Sequence, residues 1–488
     1  MSEPVVVPWR ERHLPPTSTA RRVRRMSLVG LGVIGLYLVV LFKLTRNSTF
    51  DIWGGVMLAP VLGLATAALL VHLLRSAGET PVIIRLFLLG LTLKILGAFA
   101  RYYVIFTVFG HGDAEDYHIA GVALAPEFRQ FEFGGAAWHE WIEGLTGTPF
   151  LRLVTGVVYT FIGPTMLGGF VVFSLLSFWG IYFFYRAFRV AIPDGDSVRY
   201  LLLLVLLPSM LFWPSSIGKD AWMMFGLGMA AYGAARLFVG LRGGALPIIA
   251  GLTACAMVRP HLSLIFMVGL AIGTVLRRSQ HARKLTISRR VITIAVVLVA
   301  GGLVISSVQS FFGLDGGFDA EAVDSVLSET ARRSGQGGSV YEAVRPGSPV
   351  QFPWAVVTVL YRPFLFEAHN LTALIAAIEG LALVGLTVLG ARRLATVPRR
   401  MVSDAYISFV ICYTLVFTFA FSAVGNFGIL VRQRTQLLPF FVVLLALPVQ
   451  SAIDIRRARI RGRPAVVGAG TGGTGSDLSV GSPGPDGS

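Results

Sequence analysis

The sequence predicts an all-α fold, a polytopic membrane helix bundle of about twelve transmembrane helices with two long outer loops and short interfacial helices. Three observations carry this. First, 54% of the 488 residues are hydrophobic and only 14% charged, with 55 glycines, 34 phenylalanines and a mean hydropathy of +0.71. A soluble domain carries about 25% charged residues, so soluble enzyme, fibrous repeat and disordered chain are excluded. Second, apolar runs approaching the roughly 20 residues needed to cross a bilayer recur along the chain. Third, Lys and Arg gather in alternate loops, as the positive-inside rule requires.

Residues 1–26 form a basic N-terminus, and the first apolar run has no small-residue cleavage pattern, so it reads as a retained anchor rather than a signal peptide. The expected crossings are Ser27 to Leu44, Gly54 to Leu74, Leu86 to Phe109, Met166 to Tyr185, Val198 to Trp213 and Ala221 to Leu237. Ala245 to Val258, Leu262 to Leu276, Val291 to Val308, Leu371 to Gly390, Tyr406 to Val424 and Leu437 to Ile453 complete the set, within a transmembrane domain spanning 27–453. Several central runs are short, and the pairs around Pro214 and Pro260 read as hairpins whose tips lie below the membrane surface, a placement tolerated where backbone is buried in protein. Leu151 to Ile162 and Trp354 to Phe366 are too short to cross and read as interfacial helices. Residues 454–488 read as a cytoplasmic tail, disordered from Pro464 on because Gly, Ser, Thr and Pro leave too little to bury.

Four stretches, Arg10 to Arg25, Arg277 to Arg290, Arg392 to Arg400 and Arg456 to Arg463, hold 21 of the 42 basic residues. With an even number of spans all four reach one face, which the rule assigns to the cytoplasm together with both termini. The net charge of +16 therefore reads as a topology signal and a contact to anionic membrane lipids rather than a nucleic-acid surface. Sixteen of the 26 Asp and Glu fall on the other side, mostly in the loops 110–150 and 309–353. Cys255 and Cys412 lie inside apolar runs and read as small core hydrophobes.

The outer side carries the chemistry. His111-Gly-Asp-Ala-Glu-Asp-Tyr-His118 follows the third span, and on a helix Asp113 and Asp116 share a face, placing carboxylates where one can take a proton from a hydroxyl. A solvated acidic turn is the plainer reading, and a metal site from His111, Asp113, Asp116 and His118 a third. Pro214-Ser-Ser-Ile-Gly-Lys-Asp220 sets Lys219 against the positive-inside rule, so Lys219 needs Asp220 beside it or a ligand's anion, which free N–H groups after Gly218 would also favour. Arg259 and His261 in Arg-Pro-His, Arg362 in Tyr-Arg-Pro-Phe, and Arg432 and Arg434 in Arg-Gln-Arg repeat the theme. Each alone is ordinary snorkelling; together they read as a divided anion site, since a guanidinium fork suits phosphate oxygens. Lys94, Arg101 and Glu379 are charges inside spans, with Lys94 and Glu379 a candidate pair.

This layout resembles the GT-C glycosyltransferases, multi-pass enzymes with a carboxylate motif in an early outer loop followed by a short amphipathic helix. The Gly-Asp-x-x-x-Tyr pattern at Gly112 to Tyr117 and the Arg-x-Arg element before Leu-Leu-Pro at Arg432 to Pro439 also resemble bacterial polysaccharide-polymerase membrane proteins. The short motifs are spread over residues 85–453, and the acidic motif follows the third span where the family places it after the first. The resemblance implies transfer of a hexosyl or pentosyl group from a polyprenyl-phosphate-linked donor to a glycan or lipid acceptor outside the cell membrane, in cell-envelope polysaccharide assembly. Asp113 would be the base and Asp116 its helper, with Tyr117, His118, Lys219, Asp220, Arg259, His261, Arg362, Arg432 and Arg434 binding substrate and phosphate. No metal ligand set is assigned, and a divalent cation is the one cofactor left open. The alternatives are a polymerase or ligase of lipid-linked oligosaccharides that relies on arginines, and a transporter or flippase for a lipid-linked or anionic substrate.

Overall fold

The computed structural model describes residues 18–275, 328, 330–332, 334–335, 339–344 and 350–449. The expected span at Val291 to Val308, the basic stretches at 277–290 and 456–463, the start of the N-terminus, most of the loop 309–353 and the tail lie outside the described residues. Those described are helical, with no strand and one isolated antiparallel bridge, Val340 to Asn426.

The helices are α1 (Ser18–Asn47), α2 (Phe50–Ser76), α3 (Pro81–Tyr103, continued by a π-helical turn Val104–Phe109), α4 (Asp113–Gln130), α5 (Ala136–Glu143), α6 (Thr148–Ile162) and α7 (Met166–Ala191). There follow α8 (Ser197–Leu206), α9 (Pro208–Phe212), α10 (Lys219–Val239), α11 (Ala245–Ala256) and α12 (Pro260–Val275). After the undescribed segment come α13 (Phe352–Tyr361), α14 (Leu371–Leu389), α15 (Ala391–Leu394), α16 (Val397–Ser403), α17 (Ala405–Phe421), α18 (Phe427–Arg434) and α19 (Leu438–Leu445).

Six of these are long and apolar enough to cross a membrane, or up to eight if each of two bent pairs is one span. The protein is thus membrane-embedded, and its regular structure is helical among the described residues, but not all expected crossings are full-length helices. At the fifth, seventh, eighth and twelfth stand α8, α11, α12 and α19, of 10, 12, 16 and 8 residues. Prolines explain much of the shortening: Pro208, Pro260 and Pro439 each sit at the first helical positions, where a missing N–H is tolerated, and would break a helix running through them.

At the centre α7 packs along α10, and both are far more enclosed than α2, α3 or α14. The two backbones touch: a Cβ on Gly180 would strike the carbonyl of Met224, and one on Gly228 the carbonyl of Gly180. Small residues at helix crossings permit this approach where apolar burial cannot drive association.

The two ends of the bundle differ. At one end Arg189 pairs with Glu79 at 3.2 Å, Arg393 with Asp196 at 3.2 Å, and Arg400 with Asp194. These contacts gather the α2–α3 loop, the α7–α8 loop and the arginines of α15 and α16. The starts of α2, α4, α7 and α10 meet at the other end. Between the ends, Lys94 and Glu379 do not pair with each other. The Lys94 ammonium donates to the Met210 carbonyl at 2.7 Å, and the Glu379 carboxylate accepts from the Ser209 N–H at 2.6 Å. They hold the short α9 at its break with α8, supplying partners for backbone groups that the proline interruption frees.

Candidate functional site

The site is built where α4, α10 and α18 present their ends beside the α11–α12 break. Gly110, with φ 80°, turns the chain after the third span so that α4 can begin at Asp113. Gly218, with φ 155°, does the same before α10 and places Asp220 in that helix's first turn, where negative charge is favoured. The Asn426 side chain caps α18, accepting from the N–H groups of Gly428 and Ile429, and Arg432 falls in the last turn, the favoured end for a cation. Arg259 follows α11, its N–H donating to the Cys255 carbonyl at 2.7 Å.

These four side chains form one continuous ion-pair chain. Arg259 Nη1 donates to Asp220 Oδ1 at 3.0 Å, Arg432 Nε donates to Asp220 Oδ2, and Arg432 Nη1 donates to Asp113 Oδ2 at 3.1 Å. The two carboxylates differ in surroundings. Asp220 is 5% exposed with both oxygens engaged by guanidinium groups; Asp113 is 63% exposed with Oδ2 engaged. Asp220 is thus an organiser, and Asp113 the carboxylate free to meet a substrate proton.

Around the chain lie three more groups. Lys219 Nζ donates to Thr148 Oγ1 at 3.1 Å rather than to Asp220. Tyr117 is buried next to Thr148, and burial, reinforced by Asp113, pushes its hydroxyl up to about 12, so it stays a neutral donor. Arg101 stacks over the Phe212 and Trp213 rings at 4.7 and 4.6 Å, within electrostatic reach of Arg432, Asp220 and Asp113. Its Nε and Nη1 are buried and, among the described residues, without a hydrogen-bond partner. Among the described residues, four cations, Arg101, Lys219, Arg259 and Arg432, therefore lie around two carboxylates.

Other residues singled out in the sequence lie elsewhere. Asp116 is exposed and borders a separate cavity of about 300 Å³ with His139, Glu140 and Arg152 between α4, α5 and α6. The His118 ring meets the Tyr159 hydroxyl at 2.7 Å and Asp51 at 3.4 Å, joining α4 to α6 and to the start of α2; burial lowers its pKa and Asp51 opposes that. His261 is half-buried near the Phe421 ring, beside Arg259 in sequence but outside the ion-pair chain. Arg362 pairs with Glu367 and stacks on Tyr341 and Phe427, and Arg434 is fully buried, donating to the carbonyls of Leu360 and Arg362 at 2.9 and 3.0 Å. These two arginines fasten the α13–α14 connection to α18. Among the described residues, His111, Asp113, Asp116 and His118 of the alternative metal site form no group with metal-ligand spacing. The described residues hold one group with metal-ligand spacing, His139, Glu140 and Glu143, whose ligand atoms lie within 4.8 Å of one another. Arg152 already pairs with both of its glutamates, at 3.4 and 3.2 Å.

Sequence reasoning noted Arg101 only as a charge inside a span. The signal that could have found it is its place about three helical turns before the polar motif that starts at His111, in a helix otherwise apolar at that end. Compared with known protein families, curated proteins and solved structures, the chain matches none.

Proposed function

We propose that this protein is a glycosyltransferase of the cell membrane, crossing it about twelve times with both termini in the cytoplasm. It takes a sugar from a polyprenyl-phosphate-linked donor at the outer face and passes it to a glycan or lipid acceptor in cell-envelope polysaccharide assembly. The observation that carries this reading is the Arg259–Asp220–Arg432–Asp113 chain, in which one exposed carboxylate adjoins two largely enclosed guanidinium groups at the ends of apolar helices.

The chemistry follows from the two halves of the site. As the acceptor hydroxyl attacks the anomeric carbon, Asp113 takes its proton, the bond to the phosphate oxygen breaks, and negative charge collects on the departing lipid phosphate. Arg432, Arg259 and Lys219 stabilise that charge best when they are preorganised, and Asp220 holds the two arginines in place. A donor phosphate that engages Arg432 also loosens its pairing with Asp113 and frees the base.

The test is transfer of labelled sugar from a polyprenyl-phosphate donor by the purified protein. Asp113→Asn is expected to lower turnover by roughly 10²- to 10⁴-fold, the range for general base catalysis, with donor binding kept or tightened because Arg432 no longer pairs with a carboxylate there. A variant that keeps most of its turnover favours the arginine-type polymerase or ligase instead.

Transport of a lipid-linked or anionic substrate is the second reading, and one observation favours it. Lys94 and Glu379 flank a broken helix inside the apolar zone, beside a groove of about 370 Å³, an arrangement known at transporter midplanes. Substrate movement across proteoliposomes that is lost in Glu379→Gln but retained in Asp113→Asn would select it.

A further inference from the structure

The charges in the site do not balance, and Arg101 is where the imbalance sits. A guanidinium with buried N–H groups and no acceptor is costly, and its stacking on Phe212 and Trp213 orients it without satisfying its donors. Arg259 and Arg432 take both oxygens of Asp220 and Arg432 takes one of Asp113, while Arg101 Nε and Nη1 donate to neither carboxylate. The uncapped first turn of α10 adds free N–H groups on the same side as Lys219. Among the described residues, four cations against two carboxylates leave two positive charges for a ligand to neutralise.

We infer that the site binds a dianionic diphosphate diester, with Arg101 as the residue that recognises the second phosphate. This rests on reading the cluster as the donor's phosphate site and narrows it: a sugar joined to its carrier through one phosphate brings one negative charge, and through a diphosphate two. The planar fork of Arg101 suits two oxygens of one phosphate, while Arg259, Arg432 and Lys219 take the other.

The experiment is calorimetric titration of the purified full chain with dimethyl phosphate and with P1,P2-dimethyl diphosphate, together with thermal unfolding. The diphosphate is expected to bind at least roughly ten-fold tighter, the value of one charge-assisted hydrogen bond. Arg101→Gln should remove most of that preference, and Arg101→Lys should restore part of it. Without anion, Arg101→Gln should melt at or above the wild-type temperature, because an unpaired buried charge has gone, and its rise in melting temperature with diphosphate should shrink. Equal binding of the two probes overturns the inference. So does an Arg101→Gln protein that melts well below wild type yet keeps the diphosphate preference, since Arg101 would then be an aromatic-stacked strut. A P1-farnesyl, P2-methyl diester separates this from the wider reading. Tighter binding than the dimethyl probe supports a lipid carrier as well, whereas equal binding keeps the diphosphate and removes the lipid.

Discussion

At the residue scale the site turns on Asp220, which has both oxygens committed to arginines and almost no exposure. Removing one partner from a buried ion pair leaves an uncompensated charge, at about 3–5 kcal/mol. Asp220→Asn is therefore expected to lower thermal stability by about that much, although Asp220 touches no proton in the reaction. Asp220→Asn combined with Arg259→Gln should recover part of the loss, because one orphaned charge is gone; a strictly additive double-mutant cycle would mean the two side chains act independently. His118 gives a prediction with a sign. Burial lowers its pKa below the ordinary 6.5, against the pull of Asp51 and Glu115, so the unfolded chain binds the proton more readily than the folded one. Its stabilising effect is complete above about pH 6.5 and is lost as pH falls through the lowered value. Melting curves from pH 7 to pH 5 should drop more steeply for wild type than for His118→Gln, which keeps a hydrogen-bonding group toward Tyr159 but does not titrate; parallel curves would exclude His118 as the group responsible.

At the scale of elements, the helices that matter most are the two whose backbones touch. Gly228 of α10 faces the carbonyl of Gly180 on α7, so Gly228→Val forces backbone apart and should cost at least about 1–3 kcal/mol, the usual range for overpacking. Gly35→Val on α1, where an added Cβ meets nothing within 4 Å, should be near neutral. Comparing the melting temperatures of the two variants separates packing from helix propensity. The same contrast explains what could be read in advance. Apolar run length located α2, α3, α7, α10 and α14, because a crossing helix must be apolar wherever it faces lipid. Run length could not locate the break at Leu207 and Pro208, where two charged side chains on distant helices stabilise what hydropathy alone would keep continuous. For the site, exceptions to the positive-inside rule drew attention to Lys219, Arg259 and Arg432, which the fold brings together with Asp113. They drew equal attention to Arg362 and Arg434, which hold a loop. The rule reports which end of a helix a charge occupies and carries no information on which way it faces around the helix axis. Asp113 and Asp116, three residues apart on α4, likewise part company: Asp113 joins the ion-pair chain through Arg432, and Asp116 borders the cavity between α4, α5 and α6.

For the molecule as a whole, the two ends carry different electrostatics. One gathers Arg189, Arg393 and Arg400 with acidic partners in the adjoining loops; the other holds the Asp113 chain under α4 to α6. If the arginine-rich end is cytoplasmic, as the loop bias requires, the candidate site opens outside the cell. The chain has two cysteines, both within apolar helices, so a cysteine-free background needs only Cys255→Ala and Cys412→Ala. On that background, Phe131→Cys, in the exposed turn after α4, should react with a membrane-impermeant maleimide in intact cells. Arg392→Cys, exposed on α15, should react only after permeabilisation. The reverse pattern would place the cation cluster in the cytoplasm, where soluble sugar nucleotides are diphosphate diesters of the same charge. In that event the lipid-linked donor would lose its main support while the anion site would not. Orientation therefore decides which pool of phosphates the proposed anion site would meet, lipid-linked outside or nucleotide-linked inside.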